Sequence, residues 1–168
     1  SITWNWKTQY QVTFDQTGVD SDFTGTIVTI DNVNYNRASL PTTPLFWWDQ
    51  GSGHNFSFAS PLTVNSKQYV WTSTSGLSTL QSGTLKVTSS GSVTGNYKTQ
   101  YQITFNQTGI NSDFTGTVVV IDGTNYSRTA LPVFWWDNGT IHNFAFQSPL
   151  VVTPNSKQYV WNTTSGLS

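Results

Sequence analysis

Residues 8–14 alternate in character. Tyr10, Val12 and Phe14 are apolar, while Gln9, Gln11 and Thr13 are polar. A period of two predicts a half-buried strand. A turn-rich stretch, DQTGVDSD, follows it. TGTIVTI at 24–30 is β-branched and predicts a second strand, and a later copy of it reads TGTVVVI. Asp122-Gly123 predicts a hairpin turn leading into a strand around Tyr126 and Arg128. LFWWD, a Gly-rich turn and HNFSF predict another hairpin, and KQYVWTST a sixth strand. GTLKVTSS at 83–90 reads as a seventh, with Leu85 and Val87 inward and Lys86 outward. No helical period appears. Short strands at regular spacing, separated by polar turns, predict an all-β sandwich.

The pattern occurs twice. KTQYQVTF at 7–14 returns as KTQYQITF at 98–105, and SDFTGT at 21–26 returns at 112–117. FWWD at 46–49 returns at 134–137, and NSKQYVW at 65–71 at 155–161. The second copy lacks the residues at 42–44, between two apolar runs, as a loop tolerates. The expectation is two tandem immunoglobulin-like antiparallel β-sandwich domains, residues 1–91 and 92–168. The second copy has no counterpart of 79–91, so its sandwich edge is expected to be open. The chain begins SITWNW, where Ile2, Trp4 and Trp6 share a face; the matching stretch is SVTGNY, with Gly95 in the place of Trp4. The open edge is expected to be completed by a strand from a neighbouring unit, with residues 1–6 as candidate donor. The alternative is a sequence that stops short of its own last strand.

Composition narrows the chemistry. Only 9% of the 168 residues are charged, the net charge is −1, and every acid is Asp. No basic patch offers itself to nucleic acid. No apolar run approaches the roughly 20 residues of a membrane span. Cys is absent, so no disulfide braces either domain, whereas aromatics make up 15% of the chain and include eight Trp. Buried aromatics are the means by which so small a core is stabilised.

Consecutive Trp47 and Trp48 must point to opposite faces of their strand, as must Trp135 and Trp136. One of each pair is expected to fill the core, leaving the other for an assembly contact or a ligand such as a sugar. His54 is in phase with Phe56 and Phe58, and Asp49 is expected nearby across the predicted hairpin, with no nucleophile placed beside them. Asp15, Asp20 and Asp22 suggest a cation site, but their counterparts Asn106, Asn111 and Asp113 carry less charge, and Asx turns explain them as well. Lys67 and Lys157 are in phase with inward residues and are candidates for a Lys–Asn crosslink, whereas Lys7 points outward. No metal, cofactor or catalytic residue is expected. N-glycosylation sequons stand at Asn55, Asn106, Asn125, Asn138 and Asn162.

Taken together, KTQYQVTF, the G-T-I/V-V strand, SLP or ALP, FWW, HNFSFASP, NSKQYVWTSTSGLS and GSVTGNY resemble the tandem β-sandwich repeats of archaeal cell-surface proteins. The resemblance covers nearly the whole chain. It implies an extracellular or cell-surface location, glycosylation, and no catalysis within the repeats. The expected role is a structural building block of an extracellular filament or surface stalk, its partners being copies of itself or adjacent repeats. The alternative role is a carbohydrate-binding or adhesive module that uses exposed tryptophans to take glycans. A third is an accessory domain of a secreted enzyme whose catalytic part lies elsewhere.

Overall fold

The computed structural model describes residues 1–42, 45–154 and 156–166. Of the 42–44 insertion only Thr42 is described; it is buried, and its hydroxyl accepts the Phe14 N–H at 3.1 Å. Residues 43, 44, 155, 167 and 168 lie outside the described residues. The chain is all-β and divides into two compact units, 1–101 and 102–168.

The first unit holds β1 (Gln9–Thr17), β2 (Thr26–Ile30), β3 (Val33–Asn36), β4 (Phe46–Asp49), β5 (Gly53–Phe58), β6 (Leu62–Val64), β7 (Lys67–Gly76), β8 (Ser82–Lys86) and β9 (Gly91–Thr104). One sheet runs in the order β4-β1-β9-β7-β6, the other β3-β2-β5-β8. Val12, Phe14, Tyr69 and Val93 from the first sheet meet Ile30, Phe56, Phe58 and Leu85 from the second in one core. The alternation predicted for 10–14 and for 85–87 is observed, since Val12, Phe14, Leu85 and Val87 are all buried. The β2–β3 connection is a two-residue turn with Asp31 and Asn32 both at positive φ, 46° and 67°. Asp122 and Gly123 repeat it at 46° and 78°. Positive φ at both central residues is the turn geometry that matches the twist of paired strands.

The hairpin predicted from LFWWD to HNFSF does not form. β4 pairs with β1, whereas β5 pairs with β2 and β8 in the other sheet. Residues 50–52 carry the chain across the core between the sheets. They are tied to both, because the Gln50 N–H donates to the Thr8 carbonyl and the Gly51 N–H to that of Val87. Trp48 and the pair Phe56 and Phe58 enter one core from opposite sides, and a hairpin could not place them so. The short β6, with buried Leu62, was not anticipated from sequence.

The strand at 91–97 decides the architecture. By sequence it opens the second repeat, yet it lies in the centre of the first unit's sheet. It runs parallel to β1 (Val12↔Gly91 through Thr17↔Asn96) and antiparallel to β7 (Trp71↔Tyr97, Ser73↔Asn96, Gly76↔Val93). Val93, Gly95 and Tyr97 face the core. Residues 79–91, which the second copy lacks, supply β8, an edge strand of the second sheet, whereas the place taken by 91–97 is an interior slot flanked on both sides.

The second unit holds β10 (Thr117–Ile121), β11 (Thr124–Ser127), β12 (Val133–Asp137), β13 (Phe144–Phe146), β14 (Leu150–Thr153) and β15 (Lys157–Tyr159). β11-β10-β13 form one sheet, β14 pairs with β15, and β12 pairs with β9. Val118, Val119, Ile121 and Leu150 are its buried centre. β15 spans 3 residues where β7 spans 10. In the first unit the far half of β7 is held by the strand at 91–97. Among the described residues of the second unit nothing pairs there, and without a ladder the backbone is not held as strand.

Candidate functional site: an unfilled strand slot

The second unit contains a groove of about 1060 Å³. Residues 102–108 form one wall and 159–166 the other, with Phe105, Phe144, Phe146 and Leu150 at its floor. The walls correspond to β1 and β7, between which 91–97 lies in the first unit. The effect of the open slot reaches through the unit, since Phe14, Phe58 and Tyr69 are buried while their counterparts Phe105, Phe146 and Tyr159 are only partly so. Phe56 is buried, but its counterpart Phe144 is 49% exposed. The aromatic arrangement is otherwise retained: Phe105 meets Phe134 at 6.2 Å and Trp136 at 5.9 Å, as Phe14 meets Phe46 at 6.3 Å and Trp48 at 6.1 Å. Among the described residues of this unit no strand lies between the two walls, and none stands beside β13 where β8 stands beside β5.

The filled slot shows what holds a strand there. Side chains facing the core supply apolar contact, and Tyr97 donates its hydroxyl to the Ala59 carbonyl at 2.9 Å, burial pushing its phenol up. On the outer face Asn96 bridges both walls. Its Oδ1 accepts from Thr17 Oγ1 at 2.9 Å, its Nδ2 donates to Ser73 Oγ at 3.1 Å, and its carbonyl accepts from Thr72 Oγ1 at 3.0 Å.

Ile2, Trp4 and Trp6 are 88%, 76% and 88% exposed, and residues 1–8 form no strand. Trp48 is buried, while Trp47 is 60% exposed, as expected of neighbours on a strand. Trp135 and Trp136 are both half-buried. All five sequon asparagines are exposed. Asn106 and Asn162 stand on the two walls of the groove and Asn138 in the turn after β12. Asn125 lies on β11, and Asn55 on β5 accepts the Thr84 hydroxyl at 2.6 Å.

His54 has Asp31, not Asp49, as its partner. His54 Nδ1 lies 2.6 Å from Asp31 Oδ2, Nε2 lies 3.0 Å from Ser52 Oγ, and the ring stacks on Trp48 at 3.7 Å. The crossing between sheets takes Asp49 to Lys7 and Gln9 and aims His54 at the β2–β3 turn. The second unit repeats the set with Asp122, Thr140, His142 and Trp136. The atoms are those of an Asp–His–hydroxyl relay, which the sequence reading missed. The signal was there, for an Asp in the turn and a hydroxyl two residues before the His recur in both copies. Each hydroxyl also lies 2.7 Å from a backbone carbonyl, Asp49 for Ser52 and Asp137 for Thr140. Its one proton has two acceptors in reach, that carbonyl and, in the tautomer with the ring proton on Nδ1, the imidazole Nε2. The group ties the crossing loop to the turn.

The other polar candidates are paired among themselves. Asp20 and Asp22 face Lys67 and Tyr69, and Asp113 faces Lys157 and Tyr159. Lys67 meets a carboxylate at 2.6 Å where a crosslink would need Asn. Among the described residues no group of three or more His, Cys, Asp or Glu could hold a metal ion. Among the described residues no helix is long and apolar enough to cross a membrane.

Hydrogen bonds from Lys67 and then Tyr69 hold the Asp22 carboxyl below its ordinary value, and those from Lys157 and Tyr159 do the same for Asp113. The carboxylates in turn hold both lysines above theirs. A lowered acid stabilises the fold above the unfolded carboxylate value near 3.9, and that contribution is lost as pH falls through the folded value. A raised lysine contributes fully below about 10.4 and loses its share as pH rises through the folded value. Asp22→Asn is therefore expected to flatten the acid limb of the melting profile below about pH 4. An unchanged limb by scanning calorimetry would contradict the pairing.

No protein-family model, curated protein or solved structure matches the chain.

Proposed function

We propose that the chain is a structural building block of an extracellular filament or cell-surface stalk, made of immunoglobulin-like sandwiches joined by strand insertion. One observation carries the reading: the first unit's central slot holds residues 91–97, the second unit's equivalent slot is open, and residues 1–6 are an exposed second version of 92–97. The occupant is residues 1–6 of a second copy. The slot lacks a strand with an inward apolar face at alternate positions, and Ile2, Trp4 and Trp6 supply one. A start-to-end contact of this kind is heterologous, and it builds an open filament when the rotation between copies does not close a ring. Extracellular placement and glycosylation rest on the resemblance to archaeal surface repeats and on the exposed sequons. Negative-stain electron micrographs of the purified protein are expected to contain filaments; dispersed single particles at every concentration would remove the filament reading.

A second reading draws on Trp47, whose exposed indole can stack on a sugar ring. Polysaccharide titration would then shift tryptophan fluorescence in the native protein and leave Trp47→Ala unchanged.

A further inference from the structure

Resting on the strand-insertion reading, we infer that two residues of the donor have separate recognition tasks: Asn5 fixes its register in the slot, and Trp4 restricts it to the second unit.

Asn5 is the counterpart of Asn96. The hydroxyls that the Asn96 side-chain amide meets, those of Thr17, Ser73 and, at 3.4 Å, Ser75, have counterparts on the walls of the open groove. Thr17 becomes Thr108, Ser73 becomes Thr163, and Ser75 becomes Ser165, all of which line the groove. A donor whose Ile2 lies where Val93 lies in the first unit brings the Asn5 amide between Thr108 and Thr163. A slip of two residues keeps the apolar face inward but carries Asn5 away from both hydroxyls. Apolar alternation alone cannot distinguish those registers, because it repeats every two residues. The amide bridge can.

Trp4 is the counterpart of Gly95. A Cβ at Gly95 would lie 2.6 Å from the Phe58 ring. Phe58 cannot yield. It is buried, and β5 is backed along Gly53–Ser57 by β8. The first unit's slot is closed to any residue larger than glycine at this position, and so to residues 1–6. In the second unit the matching ring is Phe146. It sits beside the half-exposed Phe144 at 5.9 Å, and no described strand backs β13 as β8 backs β5. Phe146 can turn aside, and the indole of Trp4 then takes the volume that ring vacates.

The test uses the full chain with Ile2→Asp, which disables its own donor, and a labelled peptide of residues 1–7 carrying a photo-crosslinker at position 3. The native peptide is expected to bind one per chain and to crosslink at a single position within 102–108 or 159–166. Trp4→Gly in the peptide weakens binding at least about tenfold through lost burial. Asn5→Ala weakens it about fivefold and spreads the crosslinks over positions two residues apart. Native binding at that groove with both variants equally tight and in one register overturns this inference and leaves strand insertion standing. A native peptide that does not bind, or crosslinks elsewhere, overturns both. Displacement of the peptide only by a strand from further along the same polypeptide overturns the assignment to a second copy.

Discussion

Gly95→Ala is expected to destabilise the first unit by about 3 kcal/mol and to lower its melting midpoint by roughly 15 °C. A single methyl group has so large an effect because nothing around it can move. The new Cβ would sit 2.6 Å from two atoms of the Phe58 ring. That ring lies among Phe14 at 6.4 Å and Phe56 at 6.0 Å, and the Phe58 N–H is held by the Gln81 carbonyl. The strand cannot back away either, because 91–97 is laddered on both sides. Calorimetry resolves the effect, and a double variant tests its cause. In Phe58→Leu, Gly95→Ala should add little, since residues in contact are not additive. Equal costs in both backgrounds would show that the Phe58 ring is not the obstruction.

Ile2→Asp combined with Trp6→Asp is expected to abolish filaments while leaving the melting of the first unit within about 1 °C. Ile2 and Trp6 are almost fully exposed in the free chain, so their replacement removes little from either unit. Inside the slot the same positions match buried Val93 and Tyr97. Two carboxylates there would each face an apolar floor without a partner, at a cost of several kcal/mol each. Assembly should fall by at least about a thousandfold, as read by sedimentation and microscopy. Filaments that persist would mean that another segment is the donor.

How far these features could be read from sequence depends on their range. The period of two gave the facing of Val12 and Phe14, because it depends on one strand only. The same held for Trp47 and Trp48. Local turn chemistry was enough for Asp122-Gly123. Pairing partners were not legible. FWWD and HNFSF each show which side chains go inward, and that pattern is the same whether they pair with each other or lie in opposite sheets. The His54–Asp31 contact spans the crossing between sheets and was invisible for the same reason. The repeat itself misled at 91–97. Similarity to residues 1–6 identifies the kind of strand but not which core it completes. That distinction adds an interior slot to the expected open edge.

The parallel pairing of β1 with 91–97 also bears on force. When the chain is pulled along its length, tension enters the first unit at the start of β1 and leaves along β9 beyond Tyr97. In a parallel pair those two points lie at opposite ends, so the strands are loaded in shear. The ladder from Val12–Gly91 to Thr17–Asn96 resists as one body, whereas an antiparallel pair pulled from one end would unzip bond by bond. A donor strand seated in the second unit's slot against 103–108 would meet the same loading. Strength under tension would then come from strand direction, in a chain without a single cysteine to crosslink it.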